Sequence, residues 1–117
     1  MTNPNTPPPR LPHHKLLAYG AAVELLQAVK AANIRDTKLR DQAMRAAKST
    51  CLNCAEGAGR VTRADKARAF AIARGECVEA AAAVEIAALA GDADVHVAQR
   101  CAFLADRVVK LLTGFIR

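Results

Sequence analysis

Val97, Cys101, Leu104, Val108, Leu111 and Phe115 are separated by alternating steps of four and three residues. An α-helix gathers such positions on one face, whereas a strand would send them to both sides of a sheet. The spacing therefore predicts a buried helical stripe, and it is the clearest core signal in the chain. No segment sustains period-two alternation, so no sheet is expected.

Three more helices follow from the same reasoning. The first is predicted from His13 or His14 to Ala32, with Leu16, Leu17, Tyr19, Ala21, Val23, Leu25, Leu26, Ala28 and Val29 giving a broad apolar face. Residues 33–36 break it. Helix two begins near Asp36 or Thr37, either of which can cap, and is predicted to end at Gly57, with Ala58 and Gly59 as stop residues. Thr62-Arg63-Ala64-Asp65 reads as a capping box with Asp where Glu is usual. Helix three then runs to Ala90 and stops at Gly91, with Phe70, Cys77 and Val84 seven apart along it. Asp92 or Asp94 caps helix four.

Short turns between four helices predict an all-α fold, an antiparallel up-down four-helix bundle over residues 13–117. All five prolines fall within residues 1–12, which excludes a helix there and predicts an extended, disordered tail. Aromatics are 3% of the chain and Trp is absent, so the core must be built from Ala, Leu, Val, Ile and Cys. A small, Ala-rich core buries limited apolar area, and subunit association is expected to supply part of the stability.

Gln42, Arg45, Ser49, Asn53 and Glu56 form a polar row along helix two, flanked by Ala43, Ala46, Ala47, Cys51, Leu52, Cys54 and Ala55. Ser and Asn are mediocre helix formers whose side chains compete for the backbone. A mid-helix row of them predicts polar groups brought to another subunit, to a ligand, or to one another.

Catalytic patterns are missing. No Glu-x-x-His pair suits a di-iron bundle, no serine-nucleophile motif occurs, and Gly57-Ala58-Gly59 is too short for a phosphate loop. His13, His14 and His96 are read as solvated. No enzyme and no cofactor are expected. With no apolar run of 18 or more residues and no charged-then-apolar leader at the start, a cytoplasmic protein with no membrane partner is expected. Cys51, Cys54, Cys77 and Cys101 then read as buried, reduced thiols. The alternative is a thiol-lined bundle that binds a soft metal through all four.

The formal net charge is +6, which favours polyanionic or acidic partners. Arg60, Arg63, Lys66 and Arg68 surround the turn between helices two and three. Arg63 and Lys66 fall in the first turn of helix three, where the helix dipole disfavours cations, so an anionic partner such as RNA or DNA is expected there. Arg35, Lys38 and Arg40 form a second basic group at the other end of helix two.

Gln42, Arg45, Ala46, Ser49, Asn53, Ala55, Glu56, Gly57 and Arg60, followed by Ala73, Arg74, Gly75 and Glu79, carry a resemblance. Over residues 15 to 115 the chain resembles the 23S rRNA-intervening sequence proteins, often called four helix bundle proteins. Thr50 and Cys54 stand where that pattern has Ile, and Glu76 where it has Ser. The resemblance implies a homo-oligomeric, typically pentameric ring of four-helix protomers with no known enzymatic activity. It marks Gln42, Arg45, Ser49, Asn53, Glu56, Gly57, Arg74 and Glu79 as motif or interface residues. The architecture is also similar to that of diversity-generating retroelement accessory proteins, which implies a reverse transcriptase as an alternative partner; the Asn53-to-Gly57 segment favours the intervening-sequence proteins.

Overall fold

The computed structural model describes residues 3–116, so Met1 and Thr2 of the proline-rich segment and the terminal Arg117 lie outside it. A single 3-10 turn (Pro12–Lys15) precedes four helices, α1 (Leu17–Ala31), α2 (Thr37–Gly59), α3 (Arg63–Leu89) and α4 (Val95–Ile116). Among the described residues there is no strand, and no helix is long and apolar enough to cross a membrane.

The caps follow local chemistry. Asp36 accepts from the Leu39 amide at 3.3 Å, Thr62 Oγ1 from the Asp65 amide at 3.1 Å, and Asp94 Oδ1 from the His96 amide at 2.7 Å. Each satisfies an amide that the first helical turn leaves unpaired. Past the end of α3, Gly91 sits at φ 81°, a left-handed conformation that costs glycine nothing.

Consecutive helices run antiparallel and pack on their neighbours, with α1 closing against α4. The Arg35 amide donates to the Asp92 carbonyl at 2.9 Å, and its guanidinium bonds the Gly91 carbonyl. These contacts clasp the α1–α2 turn to the α3–α4 turn at one end of the bundle. At the other end the Phe70 and Phe115 rings meet, with centroids 5.2 Å apart.

The core is narrow because most of it is alanine, which lets helix axes approach closely. Leu25, Ile34, Val84, Val108 and Leu112 are its largest fully buried aliphatic side chains. Thr50 and Cys54, the two departures from the family pattern in α2, are both fully buried. The Thr50 hydroxyl donates to the Ala46 carbonyl at 2.8 Å, which satisfies its polar group inside α2.

Several expectations are corrected. Helix one begins at Leu17 rather than at His13 or His14, because Leu16 is extended at φ −87°, ψ 119° and separates the 3-10 turn from α1. Leu17 and Leu52 point to solvent, at 69% and 70% exposure, while Ile34 in the supposed breaker is buried. The buried face of α4 is Ala98, Cys101, Ala105, Val108 and Leu112, so only Cys101 and Val108 of the stripe read from the sequence are fully buried. The alanines let α4 approach most closely, so Val97, Leu104 and Leu111 fall on its flanks and Phe115 is 49% exposed. Gly57 does not stop α2, which continues to Gly59.

Candidate nucleic-acid interface

The polar row of α2 lies on the edge that faces α3, and most of its groups are satisfied there. Arg45 reaches Glu79 at 2.6 Å through Nη2 and Glu76 at 3.5 Å through Nη1. Glu76, which stands where the family pattern has Ser, thus gives this guanidinium a second carboxylate. Asn53 Nδ2 donates to the Ser49 carbonyl at 2.9 Å and to Ser49 Oγ at 3.1 Å. Gln42, at the start of the row, is exposed. Arg74 fastens α3 to α4 by donating from Nε to Thr113 Oγ1 at 3.2 Å.

Gly57 explains itself by contact. A Cβ at this position would lie 2.5 Å from Cε1 of Phe70, whose ring is buried against the α2 backbone. Any side chain would have to displace that ring.

The basic turn is more self-contained than its sequence implied. Arg60 Nη2 bonds Glu56 Oε1 at 2.6 Å, and this hydrogen bond raises the guanidinium pKa further. Lys66 Nζ donates to the Gly57 and Ala58 carbonyls at 3.3 and 3.0 Å. Lys66 does sit against the dipole of its own helix, but it meets the negative end of α2, whose last carbonyls it satisfies. The dipole argument for an external anion therefore does not apply to Lys66. Arg63 is exposed in the first turn of α3, and Arg68 is exposed one turn further on. Arg60 and Arg68 line a cleft of about 350 Å³ that Glu56 and Asp65 also line, so its two cations face two carboxylates.

All four cysteines are buried free thiols. Burial pushes Cys54 and Cys77 up to about 12 and raises Cys51 and Cys101 in the same direction. Low dielectric penalises the thiolate, so these groups are held neutral and inert. Among the described residues no three His, Cys, Asp or Glu side chains are placed to hold a metal ion together.

Sequence reasoning missed a second basic concavity, lined by the 3-10 turn, the start of α1 and Arg107 of α4. Arg10, Lys15 and Arg107 converge there beside His14 and Tyr19. The proline-rich segment hid it: Arg10 folds back and donates from Nη2 to the His14 carbonyl at 2.8 Å. The only signal available in the sequence was the run Arg10 to Lys15, with two histidines between two cations.

Fold and sites together define an antiparallel four-helix bundle with an internally satisfied α2–α3 seam and cationic ends. The chain belongs to the 23S rRNA-intervening sequence protein family, whose model matches residues 15–114. This is not a known enzyme family. Among curated proteins no match is found.

Proposed function

We propose that the chain is a non-catalytic, homo-oligomeric module, pentameric as the family resemblance implies, that binds nucleic acid or a nucleoprotein partner through its surface cations. The observation that supports binding is the set of exposed cations with neither an ion pair nor a side-chain hydrogen bond among the described residues: Lys15, Lys30, Lys38, Arg40, Lys48, Arg68 and Arg100. Each contact with a phosphate is weak alone, and repetition around an oligomer multiplies it. A cytoplasmic location fits four thiols that stay reduced.

Assembly is supported by the outer face of α3 and α4. Val78, Leu89 and Val95 are exposed on the walls of shallow grooves floored by Ala81, Ala82 and Ala102. The occupant is a second copy, for a reason of charge. Glu85 lies in the groove with no cationic partner among the described residues, and on α2 the unpaired Lys48 sits one turn before the exposed Leu52. Seating Leu52 among the groove alanines brings Lys48 toward Glu85. Two different faces then meet head to tail, the arrangement that closes into rings.

A salt titration of RNA binding tests the function, using wild type and a Lys38→Ala, Arg40→Ala, Arg68→Ala variant shown to remain oligomeric. The variant should bind more weakly, and its log–log salt slope should flatten by roughly 0.7–0.9 units for each phosphate that is no longer neutralised. An unchanged slope, or no RNA binding by wild type, would sink the reading.

A further inference from the structure

The cleft at the 3-10 turn differs in kind from the one at the α2–α3 turn. It measures about 450 Å³, within the ~300–1,000 Å³ range of ligand clefts. Three cations line it, Arg10, Lys15 and Arg107, against one carboxylate, Glu24, which Arg107 already holds at 3.4 Å. Two positive charges are left over, whereas the other cleft is balanced.

Its wall is also aromatic. The His13 and His14 rings lie with centroids 4.1 Å apart, and Tyr19 meets His13 edge to face at 4.7 Å and His14 at 6.1 Å. His14 is held as a neutral ring. The Leu11 amide donates to its Nδ1 at 2.9 Å, an arrangement that needs that nitrogen unprotonated, and desolvation followed by the nearby His13 and Arg10 lowers its pKa. Leu17, 69% exposed, adds an apolar surface that nothing in the bundle covers.

We propose that this cleft binds one nucleotide of a single-stranded nucleic acid, the base lying against Tyr19, His14 and Leu17 and the flanking phosphates meeting Arg10 and Lys15. Stacking rings beside cations are what unpaired bases use, since every base offers a π-face to a ring. A duplex keeps its bases stacked internally and gains only from the cations. An acidic peptide likewise uses the charges and leaves the rings idle. The inference rests on the nucleic-acid reading above and names a site for it.

The test measures fluorescence anisotropy of a labelled oligouridylate with the full chain. Arg10→Ala with Lys15→Ala should flatten the salt slope by roughly 1.4 units, the single-strand value for two phosphates. Leu17→Glu, at an exposed position, should abolish binding with unfolding unchanged. Tyr19→Ala should weaken binding about ten-fold while Tyr19→Phe retains it. A duplex of the same length should bind more weakly, and polyglutamate should compete poorly. If wild type binds oligouridylate and both the Arg10/Lys15 and Leu17 variants bind equally well, the cleft is overturned and the general reading stands. If wild type binds no nucleic acid, both fall. Equal binding of the duplex, or efficient competition by polyglutamate, would reduce the cleft to a charge patch and overturn it.

Discussion

The contact between α2 and α3 and the contact between α3 and α4 use the same long helix in opposite ways. Toward α2, α3 presents Glu76, Glu79 and Phe70, and each finds its partner within the protomer: Arg45 takes the two carboxylates and Gly57 admits the ring. Toward α4 it buries Cys77 and Val84 but leaves Val78, beside Ala81 and Ala82, and Leu89, beside Ala98 and Ala102, in solvent. A seam whose polar and apolar groups are both spent holds a protomer together. A face whose apolar groups are unspent is available to a neighbour.

The sharpest way to break this comparison is Ala82→Arg, which places a long charged side chain in the α3–α4 groove at an exposed position. Light scattering should show wild type as an oligomer and the variant as a monomer. A monomeric wild type at micromolar concentration would end the contrast.

The next effect is alkaline. Cys54 of α2 and Cys77 of α3 are fully buried in the core with pKa values near 12, above those of thiols in an unfolded chain. Their preference for the neutral form is fully present below roughly pH 9 and is withdrawn as the pH rises toward about 12. Unfolding midpoints in urea should therefore fall across that window, and replacing both with Ala should lessen the fall. A slope that ignores the replacement would show that these thiols do not set it.

Two glycines give a smaller, signed pair. Gly57→Ala drives a methyl into Phe70 and should destabilise the fold by ~1–3 kcal/mol. Gly75→Ala, in mid-α3 with nothing within 4 Å of its Cβ, should stabilise it by ~0.5–1 kcal/mol. Urea midpoints of equal sign would mean that the seam is looser than its geometry. Smallest of all, Arg45→Ala should cost only ~0.2–1 kcal/mol, because the guanidinium and Glu79 both remain substantially exposed to water. A larger loss in a double-mutant cycle with Glu79→Ala would make this pair central to the seam.

What the sequence revealed was whatever depends on near neighbours. Asp36, Thr62 and Gly91 act within a few residues of themselves, so helix number, order and turns could be read directly. The phase of α4 could not. Hydropathy weights Val97, Leu104 and Leu111 above Ala98 and Ala105, while close helix packing rewards the small residues. Long-range meetings were equally hidden. Lys66 looked stranded against its dipole until the end of α2 appeared beside it, and Gly57 looked like a stop until Phe70 did. The Arg10 cleft draws on both ends of the chain and on a segment whose prolines suggested only a tail. Charge spacing in the sequence located cations, but carboxylates folded next to them decided which remained uncompensated.

The clasp between the two turns also has a kinetic meaning. The Arg35 amide is a loop proton, yet its acceptor is the Asp92 carbonyl on the other helical hairpin. Fraying of α1 or α2 alone leaves that bond in place; only parting of the α1–α2 hairpin from the α3–α4 hairpin exposes it. Hydrogen exchange at this single backbone position therefore reports the opening of one half of the bundle from the other. It should be as slow as exchange in the helix centres, despite its place in a turn.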